Sequence, residues 1–142
     1  MTRYEELAYL FGDDHLKECC DFANFLAGGL AEFLGCERDN IGFVSKHLPD
    51  TAPFTQCELF VADKWQGFIY TTIAVKLPNE PILGDQVRAV VRLRKIQDSF
   101  HVQIDHGERK PHLLHQTDRE ALHAFYESLY DSFISTETWK PF

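Results

Sequence analysis

The spacing of apolar residues changes period twice along this 142-residue chain. Between positions 13 and 34, Leu16, Cys19, Cys20, Ala23, Leu26, Ala27, Leu30 and Leu34 recur at the 3.6-residue spacing of a helix. From about 55 to 105 the period falls to two, predicting strands near 55–62, 67–77, 86–96 and 100–105. After Thr117, the residues Leu122, Phe125, Leu129 and Phe133 return to helical spacing. The links DKWQ, PNEPILGD and QDS are too short for crossovers, so neighbouring strands must run antiparallel. Helices at both ends can cover one side of such a sheet. The expected fold is therefore a two-layer α+β domain spanning residues 1–142: N-terminal helices, a four-stranded antiparallel meander and a C-terminal helix.

Local signals refine this outline. Thr2 and Glu5 have capping-box spacing at the start of a first helix, with Gly12 expected as its left-handed end. Asp13 or Asp14 opens the long helix, and Gly35 closes it. Gly28-Gly29 weakens its interior by roughly 1 kcal/mol per glycine and points to close packing or a kink. Residues 36–53 read as a connection in which Ile41 to Val44 can form a short strand. Thr117 and Glu120 repeat the capping-box spacing before the last helix.

Alternation assigns faces. Cys57, Leu59, Val61, Ile69, Thr71, Ile73, Val75, Val87, Ala89, Val91, Leu93, Val102 and Ile104 are expected to point at the helices. A two-residue turn at Asp98-Ser99, a three-residue turn at Lys64-Trp65-Gln66 and Leu77 set opposite Val87 then place two rows on the opposite face. One is Phe60, Tyr70, Arg94, Gln103; the other is Glu58, Thr72, Arg92, Asp105. Cross-strand pairs of these types contribute roughly 0.2–1 kcal/mol each, so the rows can simply stabilise a solvated surface. Tyrosine and arginine are also the residue types enriched in binding hot spots. Phe60, Tyr70, Arg92, Arg94 and Gln103 are accordingly the candidate partner-binding residues.

Charge and composition narrow the function classes. Net charge is -8, and residues 1–63 alone carry four basic and twelve acidic side chains. Nucleic acid is disfavoured as a partner, although the basic stretch 85–110 leaves room for a local anion or an acidic protein surface. No apolar run reaches membrane-spanning length, and MTRYEELAYLF lacks the basic start and long apolar core of a secretory signal. A cytosolic protein is expected, with Cys19, Cys20, Cys36 and Cys57 as reduced thiols, mostly buried. Cys36 is the most exposed of them by this reading.

The stretch HGERKPHLLHQTDREALH, residues 106–123, holds four of the seven histidines. Pro111 and the helix start near Thr117 make it an extended connection, and His112, His115 and His123 lack converging ligand spacing. No metal, no cofactor and no catalytic set is predicted. The reading that remains is a small cytosolic protein-binding or adaptor domain, of chaperone, immunity or self-dimerising type, using the open sheet face. The alternative is a small-molecule-binding protein or small enzyme with a pocket between the long helix and the sheet, lined by Phe22, Phe25, Tyr126 and Tyr130.

Overall fold

The computed structural model describes residues 2–45, 54–57, 63–78, 86–105 and 110–135. Helix α1 (Arg3–Leu10) begins with the expected reciprocal cap. The Glu5 N–H donates to the Thr2 hydroxyl at 3.1 Å, and the Thr2 N–H donates to the Glu5 carboxylate at 2.8 Å. Gly12 does not end this helix in left-handed geometry. Its φ is -96°, and it is the extended residue that opens helix α2 (Asp13–Leu34). Only two residues separate the helices, so Gly12 must serve as the N-cap of the second, a position that requires extended backbone. Gly35 closes α2 as expected, at φ 76° with its N–H on the Ala31 carbonyl.

The final helix, α3 (Arg119–Ile134), starts two residues later than Thr117. Asp118 is the cap, its carboxylate accepting the Ala121 N–H at 3.1 Å. The Thr117 hydroxyl lies 2.9 Å from His115 Nδ1 instead. A carboxylate suits the positive end of a helix better than a hydroxyl that already has a partner.

In chain order, the strands of an antiparallel sheet lie between α2 and α3. Its strands are β1 (Ile41–Val44), β2 (Asp63–Trp65), β3 (Phe68–Lys76), β4 (Gln86–Ile96), β5 (Ser99–Ile104) and β6 (His112–Leu114). The order is β1-β3-β4-β5-β6, and β2 pairs with the other end of the β3 edge that β1 occupies. The expected count of four strands is corrected in four places, the first being that Asp63 to Trp65, expected within the DKWQ link, is itself a strand against β3. Ile41 to Val44 is a full strand against β3, and His112 to Leu114 adds an edge strand to β5. Of the strand expected at 55–62, Thr55 makes an isolated bridge to Phe43, and 58–62 lie outside the described residues.

The helix-facing set holds. Ile69, Thr71, Ile73, Val75, Ala89, Val91, Leu93, Val102 and Ile104 are buried beside Cys57, while Leu59 and Val61 lie outside the described residues and Val87 is partly buried. They meet Leu16, Cys19, Cys20, Phe22, Ala23, Leu26, Ala27, Leu30 and Ala31 of α2, and Leu122, Phe125, Tyr126, Leu129 and Phe133 of α3. Each large side chain so enclosed contributes roughly 1.5–3 kcal/mol of apolar transfer. Phe22 stacks on Phe100 with ring centres 4.1 Å apart and planes 9° from parallel.

Two contacts fix the helices on this layer. Gly29 lets α3 approach: a Cβ there would lie 2.1 Å from the Tyr126 hydroxyl, which donates to the Leu26 carbonyl at 3.0 Å. His15 is fully buried and joins three elements. It lies 3.1 Å from the Leu10 carbonyl through Nδ1 and accepts the Lys95 N–H at 3.0 Å through Nε2. Accepting at Nε2 makes the ring the neutral Nδ1–H tautomer, and burial lowers its pKa.

Candidate functional site

On the side of the sheet away from the helices, the register differs from expectation by a shift of two. Tyr70 faces Arg92, Arg92 faces Gln103, and Arg94 faces His101. The expected pairs were Tyr70 with Arg94, Thr72 with Arg92, Arg94 with Gln103 and Arg92 with Asp105. Thr72 instead faces Val90. Between β3 and β4, Val75 rather than Leu77 faces Val87, and the link between these strands lies outside the described residues; at the other two reversals the turns differ. The β4–β5 reversal uses Gln97-Asp98, with Gln97 at φ 57°, so Ile96 pairs with Ser99. The β2–β3 reversal uses Gln66-Gly67, both at positive φ, a two-residue hairpin geometry rather than a three-residue loop. Moving the β4–β5 turn by one residue moves that pairing by two, so its side chains keep their faces, whereas the β2–β3 pairing moves by three and sets Asp63, not Phe60, opposite Tyr70.

The candidate residues therefore still share a surface, in a different arrangement. Its centre is Phe68, which the alternation-based rows omit. The Arg92 guanidinium lies 4.9 Å from the Phe68 ring centre and that of Arg94 lies 4.4 Å away. Arg92 also donates from Nε to the Gln103 side-chain oxygen at 3.1 Å, from Nη2 to the same oxygen, and from Nη1 to the Tyr70 hydroxyl at 3.5 Å. Two like charges on alternate residues of one strand are thus held against one aromatic ring. Each such contact contributes about 0.5–1 kcal/mol at an exposed site. Among the described residues, neither guanidinium makes an ion pair with a carboxylate.

His101 completes the cluster, with its ring centre 6.4 Å from that of Phe68. Burial lowers its pKa first, and the neighbouring Arg94 and Arg92 charges lower it further. Its Nδ1 is buried with no hydrogen-bond partner among the described residues. Phe68 and His101 have the same outward parity as Tyr70 and Gln103, so alternation does contain the signal that places them here. Phe60 lies outside the described residues.

The face is not open throughout. Toward β1, Thr72 and Ala74 are buried although they point away from the helices. Gly42 pairs with Ala74, and a Cβ on Gly42 would lie 2.4 Å from the Phe54 side chain. Thr55 bridges Phe43 of β1, which seats Phe54 on that end. At the opposite end Phe68, Tyr70, Arg92 and Arg94 are partly exposed.

Other candidates are placed elsewhere. His112 packs edge-on to Phe125 at 5.4 Å, His115 bonds Thr117, and His123 packs edge-on to Phe33 at 5.6 Å. Among the described residues, no three His, Cys, Asp or Glu side chains are grouped as metal ligands, and no helix is long and apolar enough to cross a membrane. Cys19 Sγ lies 3.4 Å from His15 Nε2, but burial pushes its pKa up to about 12, which suits a packed thiol rather than a nucleophile. Phe22 and Phe25 belong to an aromatic group with Phe100, whereas Tyr126 and Tyr130 belong to another with Phe33. The four expected pocket residues are divided between these two groups.

No protein-family model matches the chain, and no curated protein or solved structure is significantly similar to it. The fold and its side chains define an α+β domain with an antiparallel sheet, helices on one face and an arginine–aromatic cluster on the other.

Proposed function

We propose that this chain is a binding domain that uses the Phe68, Tyr70, Arg92, Arg94, His101 and Gln103 surface to engage an acidic segment of a partner protein. One observation carries the reading. Two guanidiniums are pre-positioned against Phe68, and among the described residues neither is neutralised by a carboxylate. A partner carboxylate would supply a counter-charge, and arginine forks bind carboxylates with two parallel hydrogen bonds. The rotamers are already held by the ring and by Gln103, so less side-chain entropy is lost on binding. Phe68 supplies the apolar centre that a hot spot requires. The chain's net charge of -8 opposes a long polyanion such as nucleic acid more than a short acidic segment set against the local arginines.

The test compares full-length wild type, Arg94→Glu and Lys17→Glu, the last an exposed change on α2. Proteins captured from a lysate by wild type are titrated against all three chains. Charge reversal at Arg94 should weaken a specific partner by on the order of 2 kcal/mol, about thirtyfold. The Lys17 change should leave it intact, and added salt should weaken the wild-type complex. Equal affinity for wild type and Arg94→Glu would refute the proposal. Sedimentation velocity of the isolated chain separates a foreign partner from a second copy.

A further inference from the structure

Cys20 and Cys57 are 37 positions apart, yet their sulfurs lie 3.1 Å from each other. Both residues are buried. Their approach is built by a third side chain. Asn24, one turn after Cys20 on α2, grips the backbone of Cys57 from both sides: its oxygen accepts the Cys57 N–H at 2.8 Å, and its amide donates to the Cys57 carbonyl at 3.3 Å. Thr71 Oγ1 lies 3.7 Å from Cys57 Sγ on the remaining side. Cys20 lies on the apolar stripe of α2 and Cys57 in the core beside it, positions that call for a small apolar side chain rather than for a thiol in particular.

We propose that Cys20 and Cys57 form a dithiol pair that closes to a disulfide by exchange with a low-molecular-weight disulfide, stapling α2 to the segment that follows β1. A disulfide needs its sulfurs near 2.05 Å, so closure requires a movement of only about 1 Å from the observed separation. In the exchange, one cysteine loses its proton and attacks a sulfur of the small disulfide. The small S–S bond breaks, and the departing thiolate takes up a proton. The second cysteine, deprotonated in turn, attacks the protein sulfur of the mixed disulfide and displaces the second small thiol. The protein loses two electrons and two protons, and the small disulfide is reduced to two thiols. Burial makes the exchange slow, while the Asn24 grip makes the closed form favourable.

The experiment equilibrates the full chain in mixtures of reduced and oxidised glutathione, natively and in denaturing urea. Thiols are then trapped by alkylation, and disulfide-linked peptides are read by mass spectrometry. A Cys20–Cys57 linkage is expected, with an effective concentration on the order of a hundredfold higher in the native chain than in the unfolded one. Cys36→Ser should leave that ratio unchanged. Asn24→Ala, checked for folding by circular dichroism, should lower it while both thiols remain. The oxidised protein should show a higher urea midpoint that dithiothreitol reverses. A native-to-unfolded ratio near one, a dominant linkage through Cys19 or Cys36, or a lower midpoint after oxidation would each overturn the proposal.

Discussion

Gly28 and Gly29 are adjacent in one helix, yet replacing each by alanine should change stability in opposite directions. Alanine is favoured over glycine in a helix interior by about 0.8–1 kcal/mol, a gain available at both positions. At Gly28 a new Cβ meets nothing within 4 Å, so Gly28→Ala should stabilise the fold by close to that amount. At Gly29 the new carbon would lie 2.1 Å from the Tyr126 hydroxyl and 2.8 Å from Cζ. The ring must move by more than an ångström to restore contact distance. It cannot do so freely, because Phe33 and Phe125 both lie with ring centres 5.8 Å away. Overpacking of this kind costs about 1–3 kcal/mol, and losing the bond to the Leu26 carbonyl costs about 1 more. After the helix-propensity gain, Gly29→Ala should lose about 1–3 kcal/mol. The two variants should differ by about 2–4 kcal/mol in urea denaturation followed by far-ultraviolet circular dichroism. In a Tyr126→Phe background, which lacks the closest atom, the Gly29→Ala loss should shrink. Equal stability of the two alanine variants, or strict additivity with Tyr126→Phe, would refute the seat of Tyr126 over Gly29.

The pH dependence follows from His15 and His101, whose folded pKa values both lie below the ordinary value. The unfolded chain then binds more protons at mildly acidic pH, so stability is full above about pH 6.5 and falls as pH drops from there through the folded pKa values. Urea midpoints measured between pH 7.5 and 5 should decline, and His101→Gln should reduce the slope without abolishing it; a flat profile would mean that His15 is not buried. In a native thiol-labelling time course Cys36 should react first, and Cys19, buried and with its pKa raised, should be among the last. Rapid modification of Cys19 without denaturant would show that α2 does not lie on the sheet as described. Gly42→Ala should displace Phe54 and destabilise the fold by about 1–3 kcal/mol; a neutral effect would show that this end of the outer face is uncovered.

Local patterns in the sequence determine the faces of the elements and several of their ends. The 3.6-residue stripe of α2, the alternation of β3, β4 and β5, the Thr2–Glu5 box and the left-handed Gly35 depend on neighbours within a few positions, which the sequence displays directly. Register is different. Pairing Leu93 with Ile104 or with Val102 buries the same side chains, so alternation cannot distinguish slips of two, and the backbone of Gln97 in the turn decides. Competition between near-equal local choices is also settled in space. Thr117 and Asp118 can both cap a helix, and His115 engages the threonine. His112 to Leu114 has no strand-like composition, but β5 offers an unpaired edge beside it. Gly28 and Gly29 look identical in the sequence until Tyr126, nearly a hundred residues later, lies on one of them. Phe68 becomes the centre of the arginine cluster, and Cys57 meets Cys20, only after the sheet has been laid under α2. Such contacts depend on the distance between elements, and that distance is fixed by the packing of the whole core rather than by any short stretch of chain.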